Sequence, residues 1–424
     1  MTTVNTPRGK LHSLLRWSEK YMKTDMVYLA EGGFWISVGT FVTACSSFVL
    51  SIAFANLIPV TVYGIYKYII SIAAILNAFT LNGLDIAVTA AVSRGKEGVL
   101  RQAFTTNLWW SIPSSVVAIG GASYYFINDN SVFGIALLCI ALLQPLTVSV
   151  NFGAAYLVGR RSFKELALFY TVDNIIPTLA LIGVMQVSKS ALVIIVTYFL
   201  SNLATTAAMY WYVLWRFKPN TEKDDHAITY GKHLSAMNIL ANVADNFDKI
   251  LTFQLLGPAE LAIYSFALAL PSQTKLITKP LFNLIFPKFS VRPEGELRQS
   301  MGEKTLRFFI AGVVLATGYI LVAPIAFKIF YPQYESAVFL SQIFALSMLA
   351  VTATPMGTFI SAKRKVRAQY IMNIGISIFQ LASAVVGILF AGLLGLILAR
   401  VATRFVGAFS AVFFYYTDRS GETL

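Results

Sequence analysis

Four carboxylates and four bases stand inside apolar stretches of this chain, where a charge is costly and usually has a task. The carboxylates are Asp85, Asp173, Asp245 and Asp248; the bases are Lys275, Lys279, Arg400 and Arg404. Burial disfavours an ionised carboxylate, which makes these four the candidates for coupling to H⁺ or Na⁺. Asp85 and Asp173 are the better placed, because each lies nine residues from a basic loop and so well inside its helix. The bases suit an anionic head group such as a pyrophosphate, which arginine can hold through paired hydrogen bonds. Arg400 and Arg404, four residues apart, share a helix face, and so do Lys275 and Lys279. Asn238, Asn242 and Asp245 form a polar stripe at i, i+4 and i+3 spacing, expected to face a cavity, and Asn242 joins the head-group candidates. Every one of these charges has a second reading as half of a structural ion pair between helices, for instance Asp245 with Arg400. Lys279 could also reach the membrane surface along its own stem.

The elements that must position these residues follow from composition. The 424 residues are 57% hydrophobic and only 12% charged, with a mean hydropathy of +0.67. Soluble domains carry about 25% charged residues. The composition therefore excludes a soluble globular domain, a disordered chain and a disulfide-rich module, and the two cysteines, Cys45 and Cys139, lie in apolar runs. Apolar stretches predict twelve membrane helices near 33–56, 66–90, 105–127, 132–157, 166–186, 191–214, 234–254, 261–286, 308–330, 336–361, 370–391 and 394–416.

Most of the 33 lysines and arginines fall in alternate loops, with Lys67, Lys189, Lys249 and Lys328 on or near the other side. By the positive-inside rule this places both termini in the cytoplasm of a multi-pass plasma membrane protein, and it accounts for the net charge of +13 without nucleic acid. The stretch from Leu11 to Tyr28 mixes apolar and basic residues and reads as an amphipathic surface helix on anionic lipid. Trp109, Trp110, Trp211, Trp215 and many tyrosines read as an interfacial aromatic belt.

Leu57, Ile65 and Tyr66 recur as Leu255, Ile263 and Tyr264 at a constant offset, and Gly153 with Arg160–Arg161 is echoed by Gly357 with Arg364–Lys365. Six helices per half preserve orientation, so the fold expected is all-α, with two six-helix lobes in parallel repeat around a central cavity. The boundaries expected are a cytoplasmic arm over 1–31, a first lobe over 32–216, a linker over 217–232, a second lobe over 233–416 and a tail over 417–424. No P-loop, H-E-x-x-H, G-x-S-x-G or C-x-x-C occurs, and His12, His226 and His233 make no metal-ligand pattern. The expectation is a transporter without cofactor or resident metal, not an enzyme.

Several segments then resemble one family in order along the chain. They are Gly32-Gly33-Phe34-Trp35, Ala53-Phe54-Ala55-Asn56-Leu57-Ile58-Pro59, Leu81-Asn82-Gly83-Leu84, Gly159-Arg160-Arg161, Asp248-Lys249-Ile250-Leu251, Phe286-Pro287-Lys288 and Tyr331-Pro332-Gln333-Tyr334. Taken together, from about residue 28 to 410, the chain resembles oligosaccharide flippases of polysaccharide biosynthesis, in the multidrug/oligosaccharidyl-lipid/polysaccharide exporter superfamily. The resemblance implies movement of undecaprenyl-pyrophosphate-linked sugar units across the plasma membrane. It implies a lipid-linked oligosaccharide as substrate and polymerase or glycosyltransferase machinery as partners. Two rivals stay open: a multidrug cation antiporter of the same fold, which should have a more acidic cavity, and a non-transporting scaffold of a polysaccharide synthase. Flipping of a peptidoglycan precursor is less favoured, because those exporters usually have fourteen helices.

Overall fold

The computed structural model describes residues 26–273, 289, 294–363 and 365–417; Lys275, Lys279 and the arm over 1–25 lie outside the described residues. The first half runs α1 (Met26–Leu57), α2 (Val60–Asn77), α3 (Leu84–Ser93), α4 (Val99–Trp110), α5 (Ile112–Ile127), α6 (Ser131–Gly159), α7 (Phe163–Val187) and α8 (Ala191–Phe217). The second half runs α9 (Asp225–Leu256), α10 (Pro258–Ser272), the short α11 (Glu294–Gln299) and α12 (Met301–Phe330). It continues with α13 (Ala337–Ala345), α14 (Thr354–Ala362) and α15 (Val366–Thr417), with 3-10 turns at Pro332–Tyr334 and Leu346–Ala353.

Eight described helical stretches are by themselves long and apolar enough to cross a membrane. The other crossings are divided or too polar for that measure. The second crossing is α2, one of the eight, continued by α3; outside the eight, the third is α4 followed by α5, and α9 carries the polar stripe. Within α15 the backbone leaves helical geometry at Ala391 and Gly392, so this element is two crossings, broken where the sequence placed the boundary between its last two helices. The architecture is all-helical with about twelve crossings in two lobes.

The break between α2 and α3 matters most for the site. Residues 78–83 leave the helix, and their freed backbone groups find partners rather than lipid, as a buried break requires. Leu81 N–H donates to Asn107 Oδ1 at 3.0 Å, Gly83 N–H donates to Ser235 Oγ at 2.9 Å, and Asn82 Nδ2 donates to the Asn77 carbonyl at 2.8 Å. Asn107 is fully buried and is itself held by Ser149 at 2.9 Å. Gly83 is obligatory here, since a Cβ would stand 2.7 Å from both Leu234 Cβ and Ser235 N of α9. The break thereby pins α3 to the other half and turns Asn77, Asn82 and Asp85 toward the space between the lobes.

The two lobes meet differently at their two ends. At the end carrying Leu57, Leu256 and Tyr331, one hydrophobic core is built from both halves. Tyr63 of α2 packs on Phe266 of α10 at 4.7 Å between ring centroids, Phe266 on Tyr334 at 4.0 Å, and Tyr68 stacks on Phe253 of α9 at 3.9 Å. Ser51 and Tyr331 share a 2.8 Å hydrogen bond, and Asn56 donates to the Phe330 carbonyl at 2.9 Å. The buried tyrosines are therefore a seal between lobes, whereas Trp109, Trp110, Trp211 and Trp215 lie on the exterior. At the basic end, carrying Arg94, Arg160 and Lys218, the principal contact between the halves runs along α3 and α9.

Gly64 makes the seal possible. A Cβ at this position would lie 1.8 Å from the Pro258 carbonyl oxygen, a backbone atom that cannot swing aside. Gly64→Ala is expected to cost about 1–3 kcal/mol in the sealed arrangement, the usual range for overpacking. Spin labels on Asp129 and Gln333, both exposed at this end, should then report a population with longer separation. An unchanged distance distribution would show that the seal does not depend on this crossing.

A polar clasp ties the basic end. Asp224 caps α9 by accepting from Ala227 N–H at 3.2 Å, and it also receives Arg94 at 2.9 Å and Lys96 at 3.3 Å. Asn220 bonds the Gly95 carbonyl at 2.8 Å, and Glu97 takes Arg160. Burial by itself would raise the Asp224 carboxyl; the Ala227 N–H, Lys96 and Arg94 outweigh it and hold the group below the ordinary carboxylate range. A depressed pKa means that the stabilisation is complete above the unfolded-state value and is lost as pH falls through the folded one. Arg94 and Lys96 are largely solvated, so most of the expected effect is the cap, about 1–2 kcal/mol for Asp224→Ala. Asp224→Asn keeps the cap and should remove the acid-sensitive part, so melting curves of the two variants between pH 3 and pH 7 separate cap from ion pair.

Candidate functional site: an interlobe cavity with a cationic tier

Between the lobes lies a cavity of about 390 Å³. One wall is Ala74, Asn77, Asn82, Gly83, Asp85 and Ile86; the other is Asn238, Asn242 and Asn246 of α9. The polar stripe on α9 thus runs 238–242–246, one turn apart at each step. The sequence had placed Asp245 rather than Asn246 on it; at 3.6 residues per turn both fit the spacing, and the packing chooses Asn246. Asp245 turns toward Arg400 of α15 instead, whose Nη1 lies 3.3 Å from its carboxylate and whose Nη2 donates to its carbonyl at 2.7 Å.

Toward the sealed end, the next turns of the same helices carry cations. Lys249 Nζ donates to Asn246 Oδ1 at 2.8 Å, which joins the cavity wall to this tier. Lys67 of α2 lies over the Tyr63 ring at 5.3 Å and within electrostatic reach of Lys249. Arg404 is accessible and has Arg400 and Asp245 as its charged neighbours. The tier therefore holds Lys67, Lys249, Arg400 and Arg404 against Asp245 and Asp248. Among the described residues, neither Lys67 nor Arg404 has a hydrogen bond or ion pair to a carboxylate.

Arg400 is committed differently. Its Nε donates to Asp248 Oδ2 at 2.5 Å, and Asp248, only 1% exposed, also accepts from the Tyr264 hydroxyl and from Lys249 N–H at 2.9 Å. Arg400, a head-group candidate in the sequence, and Asp248, a coupling candidate, are thus bonded to one another here, with Asp245 as Arg400's second partner and Tyr264 as Asp248's. Their i, i+4 and i+3 positions gave the helix faces but not which partner would reach across.

The first-lobe carboxylates have separate surroundings. Asp85 is exposed into the cavity. Asp173 of α7 accepts from Thr205 at 2.9 Å and Thr206 at 2.6 Å, both on α8. Tyr170 lies within electrostatic reach of both. Lys67 and Lys249 were missed by the sequence reading, which put them near a membrane surface. The available signal was their distance from the helix ends: each stands about two turns inside, measured from Pro59 and Gly257.

The comparisons with known proteins fit this architecture. The DinF-BH multidrug transporter, solved with a bound compound, aligns at a TM-score of 0.65 and 13% identity, covering 93% of this chain and 96% of that one. An inward-facing multidrug resistance transporter of the MATE family in the MOP superfamily aligns at 0.62 and 13%, covering 89% and 94%. A MOP superfamily transporter from Pyrococcus furiosus, described as having a binding pocket of reverse polarity that suggests a different function, aligns at 0.51 and 12%, covering 92% and 95%. At these identities the likeness is one of fold. No curated protein matches the chain in sequence. The family model for polysaccharide biosynthesis proteins matches residues 53–338, more than half of the 424, and the chain belongs to that family.

Proposed function

We propose that this protein is a flippase that translocates undecaprenyl-pyrophosphate-linked oligosaccharide units across the plasma membrane by alternating access. The observation that carries the reading is the uncompensated positive tier. Each intramembrane charge costs about 2.5–3.5 kcal/mol, so a tier of four cations against two carboxylates, in which neither Lys67 nor Arg404 has a hydrogen bond or ion pair to a carboxylate among the described residues, favours an anionic ligand that supplies the missing charge. A pyrophosphate offers several oxygens to lysine and to the arginine fork together. The isoprenoid tail stays in lipid while the head crosses in a polar space, which removes most of the cost of taking it through hydrocarbon.

With the basic loops in the cytoplasm, the sealed end faces outward and the cavity loads from inside. Both termini are then cytoplasmic. Asp85 and Asp173 are the proposed coupling carboxylates for H⁺ or Na⁺, since Asp248 is enclosed by Arg400 and Tyr264. We assign Asp248–Arg400 the role of a brace within the second lobe. A multidrug cation antiporter is disfavoured by the same charge balance, which would repel a cationic drug at mid-depth. The scaffold alternative predicts that neutralising the tier leaves export intact.

The test is deletion in the native host, followed by mass spectrometry of isoprenoid-linked sugars. Accumulation of a complete lipid-linked unit, with loss of the surface polysaccharide, is the expected outcome. Loss of polysaccharide without such accumulation would overturn the flippase reading.

A further inference from the structure

We infer that the asparagine-lined wall below the cationic tier is a sugar-reading subsite, with Asn238 and Asn242 as its principal contacts and Asp85 setting its selectivity against acidic sugars. This rests on the flippase reading and adds to it where recognition of the glycan takes place.

The first support is the chemistry of the lining. Asn77, Asn82, Asn238, Asn242 and Asn246 converge on one cavity whose lining, among the described residues, holds a single carboxylate and no base. A side-chain amide donates and accepts, and so does a sugar hydroxyl; a wall of amides can satisfy a ring of hydroxyls without net charge. Lipid-facing surface has no use for five amides, and a phosphate would draw bases to the wall rather than Asp85.

The second support is which amides are free. Asn82 and Asn77 are tied to each other and to Thr80 at the break after α2, and Asn246 holds Lys249. They form a fixed frame. The amides of Asn238 and Asn242 make no side-chain hydrogen bond among the described residues, although both lie well inside α9 and line the cavity. Asn238 is exposed and Asn242 half-buried, so both amides stand open to whatever fills the cavity.

The third support is depth. Along α9, Asn242 and Asn238 lie about 10 Å and about 16 Å from Lys249, at 1.5 Å per residue. A diphosphate seated at the lysines and arginine would therefore place its first and second sugars beside these two amides, on the side away from the seal. The cavity volume of about 390 Å³ lies in the range of pockets that hold small polar ligands. Asp85, exposed in the same wall, accepts from neutral or amino sugars and repels a uronate.

The experiment uses the full-length protein in lipid nanodiscs and three synthetic probes, all on one short-chain isoprenyl pyrophosphate: sugar-free, with a neutral disaccharide, and with a uronic-acid-containing disaccharide. The wild type should bind the neutral glycolipid about tenfold more tightly than the sugar-free lipid, the worth of one or two added hydrogen bonds. In N238A/N242A that ratio should fall to near one, and in N238S/N242S it should lie between. D85N should raise the affinity for the uronate probe by about tenfold relative to the neutral one. If the wild type does not distinguish the neutral from the sugar-free lipid, or if N238A/N242A keeps the ratio, the subsite is overturned while the flippase reading stands. If D85N leaves the uronate probe unaffected, the assigned selectivity is overturned. If none of the three pyrophosphate lipids binds, the flippase reading itself falls.

Discussion

Asp248→Ala is expected to destabilise the protein by about 3–5 kcal/mol, the range found when one partner of a buried ion pair is removed. The wild-type carboxylate is 1% exposed and accepts from Arg400 Nε, the Tyr264 hydroxyl and Lys249 N–H. Its loss removes the acceptor of Arg400 Nε and of the Tyr264 hydroxyl in the packed interior of the second lobe. Asp245 cannot take over, because its carboxylate meets Nη1 of Arg400 rather than Nε, at 3.3 Å, and is itself largely exposed. Thermal unfolding of the purified protein, followed by tryptophan fluorescence, should show a lower midpoint and a reduced yield of monodisperse protein. Asp248→Ala with Arg400→Met should recover much of the loss, since the two apolar side chains remove the buried charge and Asp245, which loses Arg400, is largely exposed. A wild-type melting point in the single variant would show that the brace carries no stability.

Much of the fold was legible from the sequence. Hydrophobic run length fixes how many times the chain can cross, and even the division of α15 falls at the Ala391–Gly392 step that separates two predicted helices. The stripe through Asn238 and Asn242 was visible because helical periodicity survives in an otherwise apolar segment. Its third member was not, because residues 245 and 246 differ by one helical step and only the position of the neighbouring helix decides between them. Pairing was legible in part, since the Asp245–Arg400 pair that the sequence offered is present at 3.3 Å. Arg400 was recognised as a buried cation with Asp245 as a conceivable partner, but the choice of Asp248 and Tyr264 depends on where α10 crosses α9. Lys67 was misjudged because loop charges were assigned by proximity to a helix end, and a lysine two turns inside was grouped with the surface. The tyrosines were read as an interfacial belt, although Tyr63, Tyr66, Tyr264, Tyr331 and Tyr334 are nearly or fully buried. Composition cannot distinguish an aromatic at a lipid interface from one at a seal between lobes, since both want a ring with a polar tip.

The vertical order of the interlobe space follows from the same helices read from one end to the other. Aromatic residues close one end, cations stand below them, and amides with Asp85 stand below the cations. Each tier draws on α2 or α3 from one lobe and on α9 from the other, so a movement that separates the helices at one end must repack every tier. Gly64, against Pro258 of α10, and Gly83, against α9, are two close backbone approaches between the halves, near opposite ends of the crossing. Small residues there let two backbones touch with little side-chain bulk to reorganise, which suits contacts that must form and part during a cycle.

Arg404→Glu should abolish export while leaving the fold intact, and this separates function from stability more cleanly than any change at Arg400. Arg404 has no carboxylate bonded to it among the described residues, so its replacement strands no partner. Electrostatically the change is large, because it turns four cations against two carboxylates into an even balance. Placing a negative charge beside a diphosphate costs about 4 kcal/mol at 4 Å and an effective dielectric near 20, or on the order of a thousandfold in affinity. Arg404→Lys keeps the charge but loses the paired donors, and a drop of about tenfold is expected. Lys67→Glu should behave as Arg404→Glu does, since Lys67 stands in the same tier on the opposite lobe. Surface polysaccharide in a deletion strain complemented with each variant gives the functional readout, and binding of sugar-free isoprenyl pyrophosphate to the purified proteins gives the direct one. If Arg404→Glu and Lys67→Glu fold, reach the membrane and still export at the wild-type rate, the cationic tier is not where the head group is held. If instead they acquire transport of a cationic drug, tier charge alone decides between flippase and antiporter on this fold.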